Sequence, residues 1–227
     1  FAGAVLTGAQ AALEDRIVTL GLRPTAPSTA FGYILPELGD SAVRPVKAFV
    51  EKPDAETARR YLRNGYLWNS GTFIARPAVL LEDLAVHAPQ VLAAAVAAVD
   101  QSLTAGDATT LGAAFAAAPA ISIDHAVMEK TARASVVPAD FEWSDVGDWR
   151  AVLQVSDRDG HGNSLTGAAL AIDSQDCIVR APAGVKLAVI GVRDLAVIVA
   201  EDGSILVCDL SQSQTVSRAS DHFGADP

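Results

Sequence analysis

The hydrophobic pattern of the chain changes at a polar, glycine-containing turn, Asp157–Asn163. Before this turn, strand-like apolar runs alternate with runs of helical spacing, which is typical of an α/β sheet covered by helices. After it, short apolar runs recur about every ten residues, which is typical of strands alone. The pattern therefore predicts two parts: residues 1–157, an α/β part, and residues 158–227, a β-rich module.

Four segments of the first part have the composition of strands or of a helix start. Ile17–Gly21 is a short apolar run that predicts a buried strand, and Val46–Val50 predicts the next one. Asp54, directly after Pro53, stands where a helix N-cap belongs. Leu67–Ala75 is strand-like at both ends and polar in its centre.

Two prolines mark the beginning of further helices, because proline is favoured in a first helical turn. They are Pro77 and Pro89. Four apolar residues at helical spacing predict the buried stripe of the second helix: Leu92, Val96, Val99 and Leu103.

The second part contains one strong hairpin signal, Asp202-Gly203, between two apolar runs. The spacing of the runs suits either a small β module or the rungs of a short β-helix. Periodicity alone does not choose between them.

Composition excludes several classes of protein. Half of the 227 residues are hydrophobic, which argues against a disordered chain. A net charge of −10 disfavours a nucleic-acid partner, since phosphate backbones are bound through basic surfaces. No apolar run reaches the roughly 18 residues that span a bilayer. Cys177 and Cys208 are too few for a disulfide scaffold, so we expect free thiols and a cytoplasmic protein.

A Glu51-Lys52 pair follows the predicted strand that ends at Val50. In one interpretation it is a solvated strand end. In the other, Lys52 offers an ammonium to a phosphate while Glu51 accepts hydrogen bonds from sugar hydroxyls. Ligands of open α/β sheets lie at the carboxyl ends of strands, where this pair stands.

Asn69 lies in the middle of a strand, where an amide is costly to bury unless both of its ends are hydrogen-bonded. Its partners are either neighbouring backbone groups or the hydroxyls of a polyol. Gly71, two residues later, permits close approach of the backbone.

Two aspartates precede a helix predicted near Trp149, and each suits an N-cap. They are Asp145 and Asp148. The alternative is that a lone carboxylate holds Mg²⁺, which commonly takes one or two carboxylates together with substrate phosphates.

The order of these clusters along the chain and their amino-acid sequences are specific. FVEKPD, WNSGTF, SIDHAVMEK and VVPADFEWSDVGDW, in that sequence, closely resemble the mannose-1-phosphate guanylyltransferases. The resemblance extends over the C-terminal portion through GNSLTG and IGVRDLAVIVAEDGSILV. It implies part of a Rossmann-like nucleotidyltransferase sheet followed by a small all-β module, with the β-helix still one form of that module.

The resemblance also implies a reaction and a set of site residues. The family transfers a guanylyl group from GTP to mannose 1-phosphate with Mg²⁺, giving GDP-mannose and pyrophosphate. By match of motifs, Lys52 meets the sugar phosphate, Glu51 and Asn69 hold the sugar, and Gly32 contacts it through the backbone. Asp145 matches a metal-holding aspartate, so Lys52 and Asp145 are the expected catalytic residues.

The glycine-rich loop with which the family cradles the triphosphate has no counterpart among the scattered glycines of this sequence. We therefore expect the chain to be the sugar-phosphate-binding half of such an enzyme, inactive by itself. The alternative is a non-catalytic sugar-phosphate-binding or assembly module. A homo-oligomer is compatible with the sequence, which does not give the oligomeric state.

Overall fold

A computed structural model describes residues 1–223, which form two compact units. The first unit is Phe1–Glu142 and the second begins at Trp143. Among the described residues, no helix is both long and apolar enough to cross a membrane.

The first unit contains four α-helices, seven strands and two short helical turns. The helices are α1 Ala2–Ala12, α2 Ala55–Arg63, α3 Pro77–His87 and α4 Pro89–Asp100. The strands are β1 Ile17–Leu22, β2 Tyr33–Pro36, β3 Arg44–Val50, β4 Leu67–Ile74, β5 Leu103–Ala105, β6 Ala108–Thr110 and β7 Ala134–Ala139. The turns are a 3₁₀ helix, Ala113–Ala117, and a π-helix, Asp124–Met128.

Five of these strands form a closed sheet in the order β1-β4-β2-β3-β7. The pair β1–β7 is parallel and the other pairs are antiparallel. Every residue of β1 is buried, because helices cover both of its faces. Val18 and Leu20 pack with Ala11 of α1, while Ile17 packs with Val79 of α3 and with residues of the π-helix. A strand buried on both faces is a nearly continuous apolar run, and the polar residue of β1, Thr19, has its hydroxyl hydrogen-bonded.

The predicted helix starts are confirmed. Asp54 Oδ1 accepts a hydrogen bond from Thr57 N at 2.8 Å and caps α2, and a proline begins both α3 and α4.

The predicted buried stripe of α4 is wrong. Val96 and Val99 are 50% and 60% exposed, and Leu103 lies beyond the helix in β5. Ala98 is the fully buried residue, and Val91 packs against the core. Because alanine recurs on every side of this helix, the spacing of its larger residues does not mark the buried face.

The second unit is a short β-helix flanked by helices. Its elements are α5 Trp149–Val155, β8 Ser164–Thr166, β9 Ala168–Ile172, β10 Ile178–Arg180, β11 Lys186–Ile190, β12 Leu195–Val199, β13 Ile205–Asp209, a 3₁₀ helix Leu210–Thr215 and α6 Ser217–Phe223. Strands β8, β10 and β12 stack in parallel, as do β9 and β11. The β-helix alternative is therefore the correct one, and the α/β class with a β-rich module is confirmed.

In this unit, the strand β10 is buried on both of its faces. Ile178 packs with Leu153 of α5 and with Leu210, whereas Val179 packs with Val189 of the facing sheet. The predicted hairpin joins β12 and β13, which pair antiparallel, with Gly203 at φ 89° in the turn.

Candidate sugar-phosphate site

Three of the predicted site residues meet at one end of the strands β4, β2 and β3. Tyr33 of β2 pairs with Trp68 of β4 and with Val50 of β3. The residue before Tyr33 and the residues after Trp68 and Val50 therefore lie side by side on three neighbouring strands, because the pairs are antiparallel. These residues are Gly32, Asn69 and Glu51.

Distances confirm that the three residues are in contact. Asn69 N donates to the carbonyl oxygen of Gly32 at 2.8 Å. A Cβ placed on Gly32 would stand 2.5 Å from Glu51 Oε2 and 3.3 Å from Asn69 Cβ. Only glycine leaves both side chains where they are.

Lys52 stands beside this group. Its Nζ lies 3.4 Å from Glu51 Oε1, and its side chain is 64% exposed, whereas that of Glu51 is 13% exposed. Lys52 has φ 46°, in the left-handed region that non-glycine residues seldom adopt. The chain therefore turns sharply where β3 ends, and this leaves an accessible ammonium next to a shielded carboxylate.

The buried amide of Asn69 has partners at both ends. Its Oδ1 accepts from Thr19 Oγ1 at 2.9 Å and from Gly71 N at 3.2 Å. Its Nδ2 donates to Asp124 Oδ1 at 3.0 Å. An amide nitrogen carries two hydrogens, and the bond to Asp124 uses one of them.

The electrostatic balance of the site follows from its crowding. Burial and the nearby Asp124 carboxylate raise the pKa of Glu51, while Lys52 and His125 act in the opposite direction. A shielded carboxylate beside an exposed ammonium can accept hydrogen bonds from hydroxyl groups and neutralise an anion at the same place. The arrangement suits a phosphorylated polyol.

Three residues of this site did not emerge as candidates from the sequence. Asp124, His125 and Glu129 lie in or directly after the π-helix, within the stretch SIDHAVMEK. Glu129 Oε1 accepts from Glu51 N at 3.1 Å, and Glu129 Oε2 lies 3.2 Å from His125 Nδ1. Asp124 and Glu129 are five residues apart, a spacing that does not place two side chains on one face of an α-helix. The sequence offers one signal for these residues, which is that polar side chains flank the apolar run Ala126–Met128.

The predicted metal residue, Asp145, lies in the second unit, in the loop before α5. The N-cap of α5 is Asp148, whose Oδ1 accepts from Ala151 N at 2.8 Å. The capping interpretation therefore applies to Asp148 and not to Asp145. Asp145 is exposed, in a turn where Val146 has φ 49°.

Residues 1–223 contain no group of three or more histidine, cysteine, aspartate or glutamate side chains that could hold a metal ion. A complete protein cage is therefore not formed by the described part of the chain. One exposed carboxylate does fit Mg²⁺, which binds through one or two carboxylates together with substrate phosphates and water.

Comparison with known proteins identifies the family. Residues 3–161 match the family model described as nucleotidyl transferase. The chain belongs to the nucleotidyl transferase family. Residues 167–219 match a second model, described as a mannoseP isomerase/GMP-like beta-helix domain, in agreement with the stacked strands. Nucleotidyl transferases generally use a divalent metal ion.

Individual relatives carry the resemblance further. The chain is 41% identical over 220 residues to the xanthan biosynthesis protein XanB of Xanthomonas campestris pv. campestris, covering 96% of this chain and 46% of that protein. It is 41% identical over 225 residues to a mannose-1-phosphate guanylyltransferase of Escherichia coli, covering 96% and 47%. The predicted resemblance is thereby confirmed. The chain spans about half the length of the curated relatives it matches.

A solved structure supports the same fold. The chain is similar to a crystal structure described as mannose-1-phosphate geranyltransferase from Thermus thermophilus, with a TM-score of 0.80 and 37% identity over 98% of this chain and 64% of that one.

The domain boundary predicted at residues 157/158 stays a prediction. The compact units divide after Glu142, whereas the two family models divide the chain between residues 161 and 167.

Proposed function

We propose that this chain provides the sugar-phosphate site of a mannose-1-phosphate guanylyltransferase. The observation that carries the proposal is the convergence of Gly32, Glu51 and Asn69 on three neighbouring strands, with Lys52 Nζ 3.4 Å from Glu51 Oε1. Relatives named mannose-1-phosphate guanylyltransferase at 41% identity support the choice of substrates.

Each of these residues binds a different part of the substrate. Lys52 binds the phosphate of mannose 1-phosphate through its exposed ammonium. Glu51 accepts hydrogen bonds from sugar hydroxyls, and the second N–H of Asn69 donates one. Gly32 lets the sugar ring approach the backbone, since a side chain there would displace Glu51.

The reaction needs positioning more than covalent help from the protein. A phosphate oxygen of mannose 1-phosphate attacks the α-phosphorus of GTP, a new P–O bond forms, and the bond to pyrophosphate breaks. Lys52 holds the attacking phosphate in place and offsets its charge. Asp145 would hold a Mg²⁺ ion, which, when bound, neutralises phosphate charge.

We further propose that the triphosphate of GTP is held by residues outside these 227, because the sequence has no glycine-rich loop followed by arginine and lysine. Both substrates are small anions, and the net charge of −10 need not repel them, because a phosphate site needs only one or two local cations such as Lys52. A cytoplasmic location remains the expectation from the two free cysteines.

Two proteins test the proposal: the 227-residue chain and the product of the complete coding sequence. Titration calorimetry should detect binding of mannose 1-phosphate to both, and a coupled pyrophosphate assay should detect GDP-mannose formation only with the complete product. GDP-mannose formation by the 227-residue chain alone would contradict the claim about the triphosphate. Binding without activity in the complete product would favour the non-catalytic module, and absence of binding in both would reject the site.

A further inference from the structure

The π-helix Asp124–Met128 and the residue that follows it accept hydrogen bonds from two of the proposed sugar-binding residues. Asp124 Oδ1 accepts from the side-chain Nδ2 of Asn69 at 3.0 Å. Glu129 Oε1 accepts from the backbone N of Glu51 at 3.1 Å. Both carboxylates lie in the stretch SIDHAVMEK, and the match of motifs assigned neither of them a role at the sugar.

We propose that Asp124 and Glu129 are positioning residues for the sugar site, Asp124 acting through Asn69 and Glu129 acting through Glu51. The inference rests on the proposed function, because it assigns how the side chains of that same site are held.

The hydrogen-bond chemistry of Asn69 gives Asp124 its role. Thr19 Oγ1 can either donate or accept, so it does not determine which end of the amide faces it. A carboxylate only accepts, so Asp124 requires the nitrogen of Asn69 on its side. Gly71 N only donates, so it requires the oxygen on the other side. Together they fix the amide in the orientation that leaves one N–H for a sugar hydroxyl.

Glu129 fixes the backbone at the point where β3 turns. Its two oxygens are divided between Glu51 N and His125 Nδ1, at 3.1 and 3.2 Å. The next residue, Lys52, has φ 46°, so the left-handed turn begins directly at the tethered amide. Loss of the tether would release the turn that carries both Glu51 and Lys52.

The support is rigid because the π-helix is anchored in the core. Ala126, Val127 and Met128 are buried and belong to the main hydrophobic cluster. The hydrogen bond from Glu129 N to Asp124 O, at 3.0 Å, closes a five-residue turn that brings the two carboxylate-bearing residues near each other. Single π-turns of this kind occur frequently at functional sites.

The test uses the complete protein, with binding of mannose 1-phosphate measured by calorimetry and kinetics measured separately for each substrate. Asp124→Ala should weaken mannose 1-phosphate binding about tenfold, as expected for loss of a charge-assisted hydrogen bond. The KM for GTP should change less than about twofold. Asp107→Ala, which removes an exposed aspartate of the first unit, is the matched control and should bind normally.

A double-variant cycle separates positioning from a general structural effect. If Asp124 acts through Asn69, Asp124→Ala combined with Asn69→Ala should be no weaker in binding than Asn69→Ala alone. Glu129→Ala should weaken binding roughly fivefold, and Glu129→Gln, which keeps an acceptor for Glu51 N, should restore most of it. Asp124→Asn, which keeps an oxygen acceptor for Asn69 Nδ2, should likewise restore most of the binding lost in Asp124→Ala. Asp124→Leu, which is of similar size and has no acceptor, replaces Asp124→Ala in the cycle if the alanine variant does not fold.

Wild-type protein that fails to bind mannose 1-phosphate would reject the proposed function itself. Wild-type binding with unchanged affinity in Asp124→Ala, or losses from Asp124→Ala and Asn69→Ala that simply multiply, would overturn the positioning role while leaving the proposed function intact. Equal losses in the affinity for GTP would likewise overturn it, because a positioning role at the sugar predicts a selective effect.

Discussion

The proposed sugar site of the first unit and the Asp145 loop of the second unit differ in how far the chain itself completes them. In the first, Asn69 has three side-chain hydrogen bonds, and Glu51 is held by Glu129 and paired with Lys52. In the second, Asp145 is exposed and belongs to no cluster of potential metal ligands among the described residues. The first is organised before a ligand arrives, whereas the second would need an ion and phosphates to form the proposed metal site.

This difference predicts different consequences of substitution. In a pre-organised site several residues bind the same substrate. Removing one of them therefore reduces the affinity for that substrate. A lone carboxylate that holds a metal ion has no substitute, so removing it should affect the reaction as a whole.

The largest effect is expected for Asp145→Asn in the complete protein. Replacing a charged oxygen ligand by a neutral one should lower turnover roughly a hundredfold or more and raise the Mg²⁺ concentration needed for half-maximal rate. Asp148→Asn is the control, because asparagine caps a helix as well as aspartate does. Rates measured against Mg²⁺, with thermal melts of both variants, decide the matter. Wild-type turnover and Mg²⁺ dependence in Asp145→Asn would remove the contrast between the two regions.

A smaller and more selective effect is expected for Lys52→Ala. Loss of a charge-assisted contact to phosphate costs about 1.5–3 kcal/mol, which weakens mannose 1-phosphate binding roughly tenfold or more. Lys47→Ala removes an exposed lysine from β3, the strand after which Lys52 follows, and serves as the control. The KM for each substrate should be measured. If mannose 1-phosphate dependence is unchanged, Lys52 is a solvated strand end, as in the alternative interpretation.

Gly32→Ala should have a milder effect through Glu51. The added Cβ would meet Glu51 Oε2, the far end of a flexible side chain, and would press lightly on Asn69 Cβ at 3.3 Å. Folding should therefore change little, while the KM for mannose 1-phosphate should rise about fivefold because the carboxylate is displaced. Gly3→Ala, where the added Cβ meets nothing within 4 Å, is the control. Equal KM values in both variants would show that Glu51 tolerates displacement.

Much of the fold was predictable because local chemistry and tertiary structure agree. The buried run of β1, the Asp54 cap, the two helix-starting prolines and the Asp202-Gly203 hairpin each follow from a few residues. The stripe of α4 was not predictable, since alanine fits both a buried and an exposed face.

The candidate site was predictable only in part, for a related reason. Glu51, Lys52 and Asn69 interrupt apolar strands, and such interruptions are visible in a sequence. Asp124 and Glu129 support the site through hydrogen bonds to residues 55 and 78 positions away. A π-turn also places them outside the usual helical spacing. Sequence patterns report local periodicity, and this support is neither local nor periodic.

The smallest expected effect is a pH-dependent change in stability for Glu51→Gln. Burial and Asp124 raise the pKa of Glu51, so the native state binds its proton more readily than the unfolded chain does. Stability contributed by this group is then fully present below the unfolded pKa and is lost as pH rises through the folded value. At neutral pH, Glu51→Gln should melt slightly above the wild type, because it removes a partly buried charge, and the difference should vanish in acid.

The same variant should bind mannose 1-phosphate more weakly, since stability and function are opposed at such sites. Gly3→Ala, where the added Cβ meets nothing within 4 Å, leaves Glu51 in place and should keep the pH dependence of the wild type. Melting curves of the three proteins between about pH 4 and pH 8 provide the comparison, and a Glu51→Gln protein less stable than wild type at neutral pH would show that the carboxylate stabilises the sugar site.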